Sequence, residues 1–137
     1  MADLDQGGQR SRKLRVYAGP TIGWREVYAK PQVVITAASY TVLVGDGIIL
    51  LNLAGVQTIN LPSVSAWVNN LILFSDNPFE EAVWIKDFGG NAAVNNKTIH
   101  PFGTDKIDNL AQDFPIVQNR QLLRLYPLND LTGWYSG

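Results

Sequence analysis

Three observations predict a mainly β domain preceded by a basic arm. From Val33 onward, β-branched residues come in short runs separated by turn signals. Apolar spacing nowhere favours a helix of three turns. Charge divides the chain at Gln32: residues 1–32 hold six basic and three acidic residues, net +3, while 33–137 hold five basic and nine acidic, net −4. Such a split marks a tail and a body with different jobs. The expected fold class is all-β: a small antiparallel β-sandwich or β-prism-like domain over 33–137, with an extended N-terminal arm and docking segment over 1–32.

Taken in chain order, Met1 to about Arg15 combines Gly7-Gly8 with the cluster Arg10-Ser11-Arg12-Lys13-Leu14-Arg15 and has almost no apolar periodicity. It reads as an arm, disordered when alone. Val16-Tyr17 leads into Gly19-Pro20-Thr21-Ile22-Gly23-Trp24, a docking segment punctuated by glycine and proline. Tyr40, Val42 and Val44 then alternate, Gly45-Asp46-Gly47 turns, and Ile48 to Leu53 follows as a buried strand, which together predict a hairpin. Gln57 to Leu61 places Ile59 and Leu61 on one face, and Pro62 stops it. Ser63 to Val68 is a single helical turn with Ser63 as its cap. Further strands are expected at Asn70 to Phe74, Ala82 to Lys86, Lys97 to His100, around Ile107 and Ile116, at Leu122 to Tyr126 and at Trp134-Tyr135.

With 137 residues, 46% of them hydrophobic and 17% charged, the chain has the material for one domain plus a tail. The absence of cysteine excludes a disulfide framework, a thiolate nucleophile and Cys-ligated zinc or iron–sulfur sites. The longest apolar stretch, near Ile48 to Leu51, is far short of the roughly 20 residues that cross a bilayer. Met1 to Gln6 lacks the zones of a secretory signal, so synthesis in the cytoplasm is expected.

The most informative stretch runs from Ile85 to Ile99, IKDFGGNAAVNNKTI, followed by Gly103-Thr104-Asp105-Lys106-Ile107-Asp108-Asn109. It resembles a β module of tailed-bacteriophage virion proteins, found in tail-fibre, spike and head-decoration proteins, in which "IKDxxGNAxxNxITI" precedes a "G-x-x-IDG"-like turn. Thr58-Ile59-Asn60-Leu61-Pro62 is similar to that family's "T-hydrophobic-x-LP" strand, and Thr132-Gly133-Trp134 to its closing "GxGW" strand, so the likeness covers about Tyr40 to Tyr135. The sequence departs from the pattern at Asn109, where glycine is usual, and at Phe88-Gly89. Residue chemistry agrees on the turns: Asp87, Gly89, Gly90 and Asn91 tolerate tight or left-handed backbone, as do Asn95-Asn96.

What the resemblance implies is a virion structural protein made in the host bacterial cytoplasm: a homotrimeric fibre or spike module held on the tail or baseplate. Its anchoring arm would comprise Arg10, Arg12, Lys13, Arg15, Tyr17 and Trp24, docked on other virion proteins. A capsid decoration protein or head fibre is the alternative, and a host-glycan-binding module using Trp67, Asn95 and Asn96 is another. A trimer makes physical sense, because edge strands of a small sheet are hazardous unless covered.

Chemistry-bearing residues favour bland readings. His100 is the only histidine, so paired-imidazole metal binding and a Ser-His-Asp arrangement are poorly supported, and it is expected to be a surface residue at a strand end. Glu80-Glu81 and the Asp105/Asp108 pair are the candidates for the two carboxylates of a glycosidase, but Glu80 and Glu81 follow Asn77-Pro78-Phe79 in a loop. Asp87, Asn91, Asp105 and Asp108 lack the dense spacing of a calcium loop, and turn formation accounts for them. The cluster Arg10 to Arg15 lacks the interleaved aromatics of a nucleic-acid binder. Trp84 and Trp134 are expected in the core or a subunit interface. No catalytic residue, metal, cofactor, nucleic-acid partner or membrane contact is expected.

Overall fold

The structure, a computed structural model, describes residues 13–17, 24–28, 31–71 and 77–137. Strands β1 (Lys13–Tyr17) and β2 (Trp24–Tyr28) pair antiparallel, with Arg15 opposite Glu26 and Tyr17 opposite Trp24. Lys13 and Arg15 therefore belong to a strand, which corrects their assignment to an unstructured arm; Arg10 and Arg12 lie outside the described residues.

The body begins with β3 (Gln32–Ile35), β4 (Ser39–Thr41), β5 (Ile48–Leu51) and β6 (Gln57–Asn60). Helix α1 (Val64–Leu71) and a single 3-10 turn (Pro78–Glu80) follow. Next come β7 (Val83–Lys86), β8 (Lys97–His100), β9 (Lys106–Ile107), β10 (Phe114–Ile116), β11 (Leu122–Pro127) and β12 (Gly133–Ser136). These strands form a four-stranded sheet, β10-β8-β6-β4, and a six-stranded sheet, β3-β5-β7-β11-β12-β9.

The all-β class holds, but the sheets are mixed. From β3 to β8 the chain alternates between them, so that β3, β5 and β7 run parallel in one, and β4, β6 and β8 run parallel in the other. Three successive pairs (β3–β4, β5–β6 and β7–β8) are thus stacked rungs of a winding. Only the later strands turn back: β10 on β8, and β11 on both β7 and β12, are antiparallel. The expected purely antiparallel sandwich is corrected accordingly. So is the hairpin proposed around Gly45-Asp46-Gly47, since β4 and β5 on either side of that turn lie in different sheets. The turn itself is real: Gly45 has φ +96°, and the buried Asp46 carboxylate accepts from Tyr40 Oη at 2.6 Å and Leu43 N at 3.0 Å.

Each rung contributes the same positions to the core. Val33, Ile49, Ile85 and Leu123 stand in register in the six-stranded sheet, and Tyr40, Ile59, Ile99 and Phe114 in the four-stranded one. Such in-register columns bury apolar area without mixing side-chain types across a rung. Between the second and third rungs, α1 presents Val64, Trp67, Val68 and Leu71 inward, the i, i+3, i+4, i+7 face of a helix. Its start carries two caps. Ser63 Oγ accepts from Ala66 N at 3.1 Å, as the sequence predicts, while Asp105 Oδ2 accepts from Val64 N at 2.8 Å across 41 positions of chain. The strand expected at Asn70 to Phe74 is corrected in its first two residues, which end α1; residues 72–76 lie outside the described residues.

At the far edge of the larger sheet, β9 runs parallel to β12 with Gly133 beside Lys106. A Cβ at Gly133 would overlap the Lys106 carbonyl oxygen and lie 2.7 Å from its nitrogen. Gly133→Ala is therefore expected to destabilise the domain by about 3 kcal/mol, read as a lowered urea midpoint with an unchanged slope.

Candidate functional site

The polar chemistry inside the domain is concentrated where the chain turns from one sheet to the other. Among the described residues the buried polar side chains are Asp46, Gln57, Asp87 and Lys97. Gln57 and Lys97 stand in register as the first residues of β6 and β8, both facing inward. Gln57 Nε2 donates to the carbonyls of Ile35 at 3.1 Å and Ala37 at 2.9 Å, in the corner of the first rung. Lys97 Nζ donates to the carbonyls of Leu53 at 2.9 Å and Gly55 at 2.6 Å, in the corner of the second.

The two contacts are one device repeated. Each corner directs one carbonyl, Ala37 in the first and Gly55 in the second, to the side-chain donor, whereas Ile35 also accepts from Asn52 N at 2.9 Å and Leu53 from Asn91 Nδ2 at 3.0 Å. An unpaired buried carbonyl costs about 1–3 kcal/mol. In each case the donor comes from the next rung and has the length its corner requires. Gln57 serves a corner of three residues, 36–38, and the longer Lys97 serves one of five, 52–56. Ala38 precedes β4 at the matching position of the first rung, and among the described residues no earlier corner lies within its reach.

The third corner, residues 87–96, carries the run of turn-forming residues from Asp87 to Asn96. Its buried Asp87 accepts through Oδ2 from Ala92 N and Arg120 N, both at 3.0 Å. Asn91 Nδ2 donates to the Leu53 carbonyl at 3.0 Å, tying this corner to the second one, and Gly89 N donates to the Leu51 carbonyl at 2.9 Å. Gly90 takes φ +72°, where the Arg120 guanidinium closes over its Cα. The motif therefore stitches two rungs and the strand that follows them. Asn109 has φ +64°: asparagine is the non-glycine residue best suited to that left-handed position.

The other singled-out residues fall as follows. Trp67 is corrected as a glycan or partner contact: its ring is fully buried, sits edge-on to Trp134 at 5.6 Å, and donates from Nε1 to the Glu81 carbonyl at 3.2 Å. A ring enclosed on both faces offers no stacking platform. Trp134 is in the core as expected, and Trp84 is half-buried with the Arg124 guanidinium 5.7 Å above its ring. Asn95 is half-buried and Asn96 exposed at the third corner. His100 is an exposed residue ending β8, and its Nδ1 lies 2.6 Å from Asp113 Oδ1.

Asp108 and Asp113 line a shallow cleft of about 160 Å³ with Leu110 and Phe114. Both carboxylates are already engaged, Asp108 by Ser136 N and Oγ, and Asp113 by His100. Asp105 caps α1, and Glu80 ends the 3-10 turn. Tyr17 and Trp24 are opposed across β1 and β2, which puts two of the proposed anchoring residues at one pair of the ladder.

Lys97 yields a test with a definite sign. Burial lowers the pKa of its ammonium group, and the neighbouring Asp87 carboxylate offsets part of that shift. Between the depressed value and the ordinary lysine value of about 10.4, the folded chain binds fewer protons than the unfolded one, so this group's contribution to stability rises with pH there. Lys97→Met strands the Gly55 carbonyl, leaves the Leu53 carbonyl to Asn91 Nδ2, and removes the titration. It is expected to cost about 2–3 kcal/mol at neutral pH, and the gap between wild type and variant should widen as pH approaches about 10. Urea unfolding of both proteins across that range measures the gap.

Compared with known proteins, the chain matches no family model, and no curated protein matches it.

Proposed function

We propose that the chain is a bacteriophage virion structural protein: a small homotrimeric fibre or spike module, attached to the tail or baseplate through its N-terminal arm and carrying no catalytic site of its own. The observation that carries this reading is the use made of the polar motif. The residues that resemble the phage module, from Asp87 to Lys97, are the ones that close the second and third corners. Their chemistry goes into a stacked scaffold, and a scaffold of stacked rungs suits a protein whose work is assembly.

Anchoring is assigned to Arg10, Arg12, Lys13, Arg15, Tyr17 and Trp24, with net charge +3 over residues 1–32 suiting an acidic site on the particle. A host-glycan contact is the second reading. It rests on the third corner, where Asn96 is exposed and Val94 stands 85% exposed beside it.

Deleting residues 1–15 should abolish attachment to the particle while leaving a folded, soluble domain, as judged by circular dichroism and by gel analysis of purified particles. Full occupancy of particles by the deletion protein would contradict the anchoring role. Electron microscopy of labelled particles separates a tail or baseplate position from decoration of the head. Retention on a glycan array that is lost on Asn96→Ala would favour the second reading.

A further inference from the structure

A sheet ends in edges whose backbone groups are free to pair, and stable domains protect them. Three of the four edge strands here are protected. β9 has two residues, one of them the charged Lys106, and its Ile107 N and O are both bonded to Leu110, at 3.1 and 3.0 Å. β10 carries Pro115, which supplies no ladder donor, and β4 is only three residues long. β3 is the exception, with four residues, Gln-Val-Val-Ile, and neither charge nor proline. Its ladder shows which groups are open. The Pro31 and Ile35 carbonyls accept from Ile48 N at 2.8 Å and Asn52 N at 2.9 Å, on the β5 side. The alternation of a strand then turns the N–H and C=O groups of Gln32 and Val34 the other way. No strand lies on that side among the described residues, and Val34 is 52% exposed.

The chain itself supplies a strand for this edge. β1 and β2 form a two-stranded ribbon paired with no strand of the larger sheets, and an isolated ribbon is at best marginally stable in water. β2 ends at Tyr28 and β3 begins at Gln32, so three residues separate an unpaired ribbon from an unpaired edge. Pro31 works against their meeting within one chain. A three-residue reversal is built as a type I turn followed by a left-handed residue. Here that last position is Pro31, whose ring holds φ at about −65°. The ribbon of one copy and the edge of another are under no such restriction, and charge favours them: +3 over residues 1–32 against −4 over 33–137. We infer that the β3 edge of each copy is completed by the β1–β2 ribbon of a second copy, through backbone hydrogen bonds to Gln32 and Val34. This rests on the reading of the chain as a homotrimer, whose ring closes when each ribbon passes to the next copy. Such pairing uses main-chain groups alone, so it is compatible with the anchoring role given to the arm's side chains.

Light scattering coupled to size exclusion, together with amide hydrogen exchange at Gln32 and Val34, tests it on the full chain across a dilution series. Wild type should run as a trimer in which both amides are protected, and dilution to monomer should release them. Val34→Pro removes an N–H that the β5 ladder does not use, so it should lose the trimer and run as a monomer with wild-type circular dichroism. Pro31→Gly restores the left-handed position. It should give a monomer in which both amides stay protected, the ribbon having folded back on its own edge; a Pro31→Gly trimer overturns the part given to Pro31. A wild-type trimer whose two amides exchange freely, or a trimer that survives Val34→Pro, overturns the edge and leaves the trimer reading standing. The wild-type exchange needs no substitution, so it decides the point even where Val34→Pro fails to fold. A wild type that is monomeric at every concentration overturns both, and the particle-attachment experiment then decides the structural role separately.

Discussion

An inward carbonyl at a corner between two sheets has no strand to pair with, and the stacking of this domain depends on side chains of the following rung reaching it. Gln57 and Lys97 do so from identical register positions. Each leaves its own strand free to continue the ladder, so one residue serves both the hydrogen bonding of the previous corner and the alignment of its own rung. Leaving the Ala37 and Gly55 carbonyls unpaired would cost about 2–6 kcal/mol, a large share of the roughly 5–15 kcal/mol that holds a small domain folded. The register of the parallel strands is thereby specified by polar contacts as well as by apolar columns. A shift by one residue would turn Gln57 and Lys97 outward and expose the core face.

The same geometry explains the position of the helix. Between β6 and β8 the chain must pass from one sheet to the other and come back, and α1 occupies that passage with Trp67 set against Trp134 of the last strand. Asp105, in the loop just before β9, caps the helix and so links the middle of the chain to its end. Polar residues that would be read singly as candidate ligands are thus distributed along joints. Asp46 holds the step between the first and second rungs, Asp87 the third corner, and Asp108 the C-terminal strand through Ser136. Their common property is a backbone N–H as partner, which is how short acidic side chains organise irregular chain.

Much of the secondary structure was legible because strands of four residues with β-branched cores leave a clear local signature. Topology was not. A parallel neighbour is distant in sequence, and nothing local in Tyr40 to Val44 or Ile48 to Leu51 distinguishes two strands of a hairpin from two strands of different sheets. The length of the helix is hidden for a related reason: Val64, Trp67, Val68 and Leu71 have helical spacing, but Asn70 to Phe74 reads as a strand when taken alone. Residue type cannot reveal enclosure, so the sequence alone leaves Trp67 open as an aromatic platform although its ring is fully buried. The corner donors were missed as well, although a glutamine and a lysine each open an alternating strand, in Gln57-Thr58-Ile59-Asn60 and Lys97-Thr98-Ile99-His100. That match becomes informative only once both residues are known to face inward.

Ala38 gives the repeat a boundary. Where the later rungs place a long donor, it presents a single methyl group, so a hypothetical additional turn grafted ahead of Gln32 would arrive with its own bend unsatisfied. Among the described strands β3 and β4 are the last of their sheets on that side, and a designer wishing to extend the ladder would begin by restoring an amide or an amine at this position.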